Sequence, residues 1–115
     1  MVIRVGIAGY GHLGAFLASA MLSRPTLFQL VFVWNRTPEA VLSDPTVASF
    51  FLDSLDKIVP GSVDLIIEVA HPVLIKQHGL ALLKLADLMI GSPTAFADPE
   101  VEQALRAEAS SGAGY

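Results

Sequence analysis

The sequence predicts a doubly wound α/β domain, a parallel sheet of about five strands with helices on both faces. Three observations predict it. First, apolar, β-branched runs of strand length alternate with stretches of helical periodicity along the chain, the pattern of parallel strands joined by right-handed crossovers. Second, hydrophobic residues make up 53% of the 115 residues and charged residues only 16%, against roughly 25% charged in an ordinary soluble domain. A sheet covered on both faces accounts for that balance. Third, the first strand-like run ends in Gly9-Tyr10-Gly11-His12-Leu13-Gly14, a G-x-G-x-x-G turn that opens a helix-like stretch.

The elements follow in order. The first strand covers residues 2–8, with Val2, Ile3, Val5 and Ile7. Gly9 makes the tight turn out of it, Gly11 lets backbone approach a pyrophosphate, and Gly14 lets the helix pack close to the strand. The helix runs from about His12 to Ser23. Its Leu13, Leu17 and Met21, at i, i+4 and i+8, are expected to face the sheet, and Arg24-Pro25-Thr26 ends it. A second strand, Phe28–Trp34, is nearly continuous in apolar residues, as a doubly buried parallel strand is. Asn35-Arg36-Thr37-Pro38 closes it, with Thr37 placed to cap a short helix and Pro38 at its first position. Asp44-Pro45 breaks that helix. Residues 47–52 read as a short third strand, and residues 53–59 as one or two helical turns stopped by Pro60-Gly61.

A fourth strand spans residues 63–70. His71-Pro72 opens a helix to about Ala86, whose inner face is Ile75, Leu82, Leu83 and Ala86. The fifth strand, Asp87–Ile90, leads into Gly91-Ser92-Pro93-Thr94. Asp98-Pro99-Glu100 then supplies a capping carboxylate, a proline at the first helical position and an acid in the first turn of a last helix. The domain so defined runs from residue 1 to 109, and residues 110–115 form a short tail.

Composition excludes several classes. The net charge is −4, and with no basic stripe or aromatic–basic interleaving nucleic acid is not expected as a partner. With no cysteine, disulfides and cysteine metal sites are ruled out; a cytoplasmic location is the expectation. Val5 to Leu22 carries no formal charge and follows Arg4, as in a leader or membrane anchor. Its glycines, His12 and its change from β-branched residues to Ala and Leu read instead as strand, turn and helix, so no membrane role is expected.

In such a sheet ligands bind beyond the carboxyl ends of the strands. The triple glycine in a strand–turn–helix context is the dinucleotide fingerprint, with free N–H groups and the helix dipole aimed at the phosphates. An NAD-selective site carries Asp or Glu at the end of the second strand, roughly 20 residues beyond the glycines. Here Asn35 and Arg36 stand at that point. Asn35 can bond a ribose hydroxyl without repelling a phosphate, Arg36 can pair with a 2′-phosphate and stack on adenine, and Thr37 can donate its hydroxyl. The expected cofactor is therefore NADP in preference to NAD; the plain alternative is that Arg36 is a solvated surface arginine. His71 has two readings, a helix cap or a contact to the nicotinamide ribose or substrate. Glu68, inside an apolar strand, needs a partner, either a backbone group or a residue in missing sequence, with a catalytic role as the further alternative. His78 reads as a core or edge residue, and His12 as flanking the pyrophosphate. No metal-ligand spacing is present, and Ser92 lacks a nucleophile elbow.

Four blocks carry a family resemblance: Val-Gly-Ile-Ala-Gly-Tyr-Gly-His-Leu-Gly, Leu-Val-Phe-Val-Trp-Asn-Arg, Glu-Val-Ala-His-Pro and Gly-Ser-Pro-Thr-Ala. Together they resemble the N-terminal, Rossmann-type cofactor domain of L-aspartate dehydrogenases, the animal members in particular, from about Ile3 to Ala109. The glycine block is common to many dehydrogenases; the Trp-Asn-Arg and Glu-Val-Ala-His-Pro blocks are more specific. The resemblance implies NAD(P)-dependent oxidative deamination of L-aspartate to oxaloacetate through iminoaspartate, a link to NAD biosynthesis, and a homodimer. It implies a second, α+β domain carrying the substrate contacts and the catalytic histidine. On matching motifs it places Gly9, Tyr10, Gly11, His12, Leu13 and Gly14 at the pyrophosphate. Asn35 and Arg36 fall at the adenosine end, and Ala70, His71, Ser92, Pro93 and Thr94 near the nicotinamide. No residue of the chain matches the catalytic histidine. The expectation is a truncated product or isoform that holds the dinucleotide, takes L-aspartate only with the missing domain, and turns nothing over alone. Two other readings stand beside it: a non-catalytic NADP-binding or interaction module, and the cofactor half of a dehydrogenase for another substrate.

Overall fold

Apolar runs become strands where a neighbour can pair with them and both faces can be covered. The computed structural model, which describes residues 1–91 and 99–109, contains four such strands: β1 (Ile3–Ala8), β2 (Phe28–Trp34), β3 (Leu65–Glu68) and β4 (Asp87–Ile90). All pair in parallel, in the order β2-β1-β3-β4. Helices α1 (His12–Leu22), α2 (Pro38–Leu42) and α3 (Pro72–Leu85) lie in the connections between strands, and α4 (Pro99–Glu108) follows β4.

β1, β2 and β3 bury side chains on both faces, whereas β4 leaves Asp87 and Met89 exposed. Val5, Ile7, Leu30, Val33 and Ile67 share one core cluster with Ala18 and Met21 of α1 and Val41 of α2. Ala8, Phe32 and Ile66 belong to a second, with Leu74 and Leu82 of α3. A bulge in β2 reconciles these memberships. Val5 pairs with Leu30 but Gly6 with Phe32, so the extra residue, Val31, returns Val33 to the face that Leu30 occupies. Phe32 then lies across Gly6, where a Cβ would stand 2.0 Å from the ring. Behind α3, Leu105 of α4 closes a small cluster with Ile75 and Leu83.

The structure departs from the sequence reading at three points. The described sheet has four strands rather than about five. In place of a third strand over 47–52 there is a 3₁₀ turn, Ala48–Phe50, and a single parallel bridge from Phe51 to Val33. Asp44 causes the change: its carbonyl accepts the N–H groups of Val47 and Ala48 at 3.1 and 2.9 Å, which curls the backbone before it can extend along β2. The inner stripe of α1 is Gly14, Ala18 and Met21, whereas Leu13 is 53% exposed. Gly14 brings that face closest to the sheet and turns Leu13 outward. Thr37 occupies the cap position of α2 but makes no side-chain cap bond. The inner face of α3 is as expected, with Ile75, Leu82, Leu83 and Ala86 buried. Asp98, the Ser92-Pro93-Thr94 segment and the 110–115 tail lie outside the described residues.

At the amino end of the sheet, Arg4 and Asp64 tie β1 to the approach to β3. The guanidinium holds both Asp64 oxygens, at 2.8 and 3.1 Å, and the Gly61 carbonyl at 2.8 Å, and the Arg4 N–H adds a third bond to Asp64 at 2.9 Å. These bonds draw the Asp64 carboxyl down from 3.8 to about 2. A carboxylate held lower in the folded than the unfolded chain stabilises above the unfolded value and stops doing so as the folded group protonates. Asp64→Asn is therefore expected to lower the melting midpoint at neutral pH, and the gap from wild type to close between about pH 4 and pH 2. Thermal melts of both proteins across that range measure it.

Candidate functional site

The carboxyl ends of β1, β2 and β3 converge on one turn, and its geometry follows from three glycines. Gly9 has φ +124°, and a Cβ there would lie 2.7 Å from the Ala70 nitrogen and the Val69 carbonyl carbon. No side chain fits at that position. The Gly9 N–H donates to the Trp34 carbonyl of β2 at 2.7 Å, and Val69 N–H donates to the Ala8 carbonyl at 3.0 Å. A Cβ on Gly14 would come 2.1 Å from the Gly9 carbonyl oxygen, so α1 is seated directly on the turn. Gly11 differs: nothing lies within 4 Å of its would-be Cβ. It stands at the head of α1, where no side chain caps the helix and no acid sits in the first turn. The backbone there is open to an anion, as a pyrophosphate cradle requires.

An open cleft of about 710 Å³ extends from this turn. Tyr10 and Gly11 form its floor, Trp34 to Thr37 one wall, and Val69 to His71 with Val73, Leu74, Gln77 and His78 of α3 the other. Among the described residues its lining holds no carboxylate. Arg36 is exposed and makes no ion pair among the described residues. Asn35 is more engaged than the sequence suggests: its Oδ1 accepts the Tyr10 N–H at 2.8 Å and its Nδ2 donates to the Thr37 carbonyl at 3.0 Å. Asn35 thus fixes the shape of the second loop, with one amide proton left over.

His71 caps α3 through Nδ1, which accepts the Val73 N–H at 3.1 Å. In the neutral ring the proton is then on Nε2, and the ring remains part of the cleft wall. Glu68 is fully buried. Its Oε2 accepts the Ala70 N–H at 2.7 Å, and its carbonyl accepts the Gly91 N–H at 2.7 Å. That carboxylate shapes the turn into His71 from behind.

Of the sequence-predicted residues, Tyr10, Gly11, Asn35, Arg36, Thr37, Ala70 and His71 meet in the cleft. Gly9 and Gly14 lie beneath it as packing contacts. His12 and Leu13, the first residues of α1, are exposed and do not line it. Ser92, Pro93 and Thr94 fall outside the described residues. Sequence reasoning missed Trp34, Val69, Val73, Leu74, Gln77 and His78 as lining. The available signal was helical spacing: residues 74, 77 and 78 follow His71 at i+3, i+6 and i+7 and share its face. The resemblance places Tyr10 at the pyrophosphate, and it does line the cleft. Its ring is in the core, and its hydroxyl donates to Asp44 Oδ2 at 2.6 Å.

The fold and this cleft define a dinucleotide-binding α/β domain. Comparison with known proteins places it further. A family model described as the NAD-binding domain of homoserine dehydrogenase matches residues 9–114, and the chain belongs to that family. It is 39% identical over 109 residues to the aspartate dehydrogenase domain-containing protein of Danio rerio, covering 93% of this chain and 39% of that one. The chain thus spans about two-fifths of that relative's length. Aspartate dehydrogenase from Thermotoga maritima superposes with a TM-score of 0.72 at 24% identity, over 97% of this chain and 43% of that one. An engineered D-amino acid dehydrogenase bound to NADP+ gives 0.74 at 22% identity, over 96% and 34%. The resemblance read from the four sequence blocks is borne out for the cofactor domain.

Two outcomes check this geometry. Gly9→Ala is expected to cost about 1–3 kcal/mol of stability, because the positive φ and the Ala70 contact are both strained. Gly11→Ala should leave the melting midpoint nearly unchanged, since its Cβ enters open space; chemical denaturation of both variants distinguishes them. Burial, and then the bond to Asp44, push the Tyr10 hydroxyl up to about 12. Because the folded value is the higher one, the stabilisation is complete below about pH 10 and is lost as pH rises through about 12. In Tyr115→Phe, which leaves Tyr10 as the single tyrosine, absorbance titration should show phenolate forming near 12 rather than at the ordinary value of about 10.

Proposed function

We propose that this chain is the NADP-preferring cofactor domain of an aspartate-dehydrogenase-like oxidoreductase. The observation that carries the cofactor preference is the end of β2, where Arg36 is exposed beside Asn35 in a cleft whose described lining has no carboxylate. An acid at that point would hold the ribose hydroxyls of NAD and repel a 2′-phosphate. Asn35 does not repel it, and the Arg36 guanidinium can take two phosphate oxygens at once. The open backbone at Gly11 and the uncapped start of α1 suit the pyrophosphate. Ala70 and the Nε2 side of His71 line the cleft beyond the turn, on the nicotinamide side of this reading.

The bound cofactor would supply a hydride acceptor. The chain's own residues bind and orient it: the glycine turn fixes the phosphates, Arg36 and Thr37 the adenosine end, and the Glu68-supported turn the wall at Ala70. The reaction proposed for the complete enzyme is oxidative deamination of L-aspartate through iminoaspartate to oxaloacetate. Similarity to the Danio rerio relative over 93% of this chain supports that choice.

Trp34 is the single tryptophan and lines the cleft, so its fluorescence reports binding. Titration should give tighter binding of NADPH than of NADH. Arg36→Ala should weaken NADPH by roughly tenfold to a hundredfold, the worth of a charge-assisted phosphate contact, with NADH changing by less than about threefold. Tighter NADH binding by the wild-type chain would overturn the preference. Fusion to the remaining sequence of the Danio rerio relative tests the reaction. NADPH oxidation that requires both oxaloacetate and ammonium is expected, and its absence with a folded, cofactor-binding fusion would count against aspartate.

A further inference from the structure

Tyr10 holds the segment that carries Arg36 at both of its ends. Its backbone N–H donates to Asn35 Oδ1 at 2.8 Å, just before Arg36. Its side chain passes into the core cluster that contains Val33, Val41 and Val47. The hydroxyl then emerges at Asp44, just past α2, and donates to Oδ2 at 2.6 Å. Asp44 is itself fixed there: its Oδ1 accepts the Thr46 N–H at 3.0 Å and its N–H donates to the Val41 carbonyl at 3.1 Å. One residue of the glycine turn therefore spans residues 35 to 44. Between the two anchor points lie Arg36, Thr37, the short helix α2 and Ser43.

We propose that Tyr10 is a positioning residue for cofactor selectivity, its hydroxyl bond to Asp44 holding the Asn35–Asp44 segment so that Arg36 stands over the adenosine end of the cleft. The inference rests on the NADP reading above. The rigid glycine turn is used by either dinucleotide, because both carry the pyrophosphate. The 35–44 segment matters more to the one with a 2′-phosphate. Loosening its far end costs Arg36 its place and leaves the pyrophosphate cradle intact, so a positioning role predicts a change in the ratio of affinities. A role confined to folding predicts equal losses.

The test is a double-variant cycle on the full chain, using Tyr10→Phe, Asp44→Ala and both together, with NADPH and NADH titrated by Trp34 fluorescence. Tyr10→Phe keeps the ring and the backbone bond to Asn35. It is expected to weaken NADPH by about tenfold and NADH by about twofold or less, the scale of one hydrogen bond to a charged group. Asp44→Ala, a surface-side change that leaves the core ring in place, should reproduce the shift even where Tyr10→Phe folds poorly. The double variant should shift the ratio no further than either single one. An unchanged NADPH-to-NADH ratio in Asp44→Ala, or additive effects in the double variant, overturns the clamp while the NADP reading stands. A wild-type chain that prefers NADH, or binds neither, overturns both.

Discussion

The contact on which the rest depends is backbone against backbone, where Gly9 leaves β1. Its N–H is bound by β2, its α-carbon rests on the peptide that leaves β3, and its carbonyl is faced by Gly14 of α1. Three strand ends and a helix start therefore meet with no side chain between them. That proximity brings the loops after β2 and β3 to opposite sides of one cleft and puts Gly11, at the head of α1, on its floor. A Cβ on Gly9 would separate the layers and the cleft walls together. The fold and the site are constrained by the same atoms.

How much of this was legible in sequence depended on whether a residue's task was local. Strand runs such as Phe28–Trp34 and the turn glycines state their roles in their own composition, and they fell where expected. His71 as a cap was legible because proline follows it and the capping bond reaches only to Val73. The 47–52 run was misread because its apolar pattern suits a strand, while the decisive group, the Asp44 carbonyl, sits upstream and draws the amides into turns. Leu13 was misplaced for a related reason. Period counting rewards large apolar residues, but close packing of α1 is governed by Gly14, which has no side chain to count. Gln77 and His78 share the His71 face of α3 by spacing, but that face could be assigned to the cleft only once His71 itself was placed on its wall.

The low charge fraction also finds its explanation. β1 buries alternate residues in two different clusters, and β3 does the same with Ile66 and Ile67. A central strand of this kind has no solvent face to carry charge. The ionic groups are displaced to the sheet's ends, Arg4 with Asp64 at the amino end and Glu68 behind the Ala70 turn at the carboxyl end. Each accepts a backbone N–H at a strand boundary, Asp64 from Arg4 and Glu68 from Ala70.

Asn35 shows how tightly folding and recognition are joined here. Its amide must accept from Tyr10 N–H and donate to the Thr37 carbonyl at the same time. A carboxylate at this position could keep the first bond. It could not make the second, because both of its oxygens are acceptors and one would face a carbonyl oxygen. The loop that bears Arg36 would then have to refold. The amide that shapes this loop also carries no charge where an acid would repel a 2′-phosphate. Placing an acid at residue 35 therefore requires rebuilding the connection from Asn35 to Thr37.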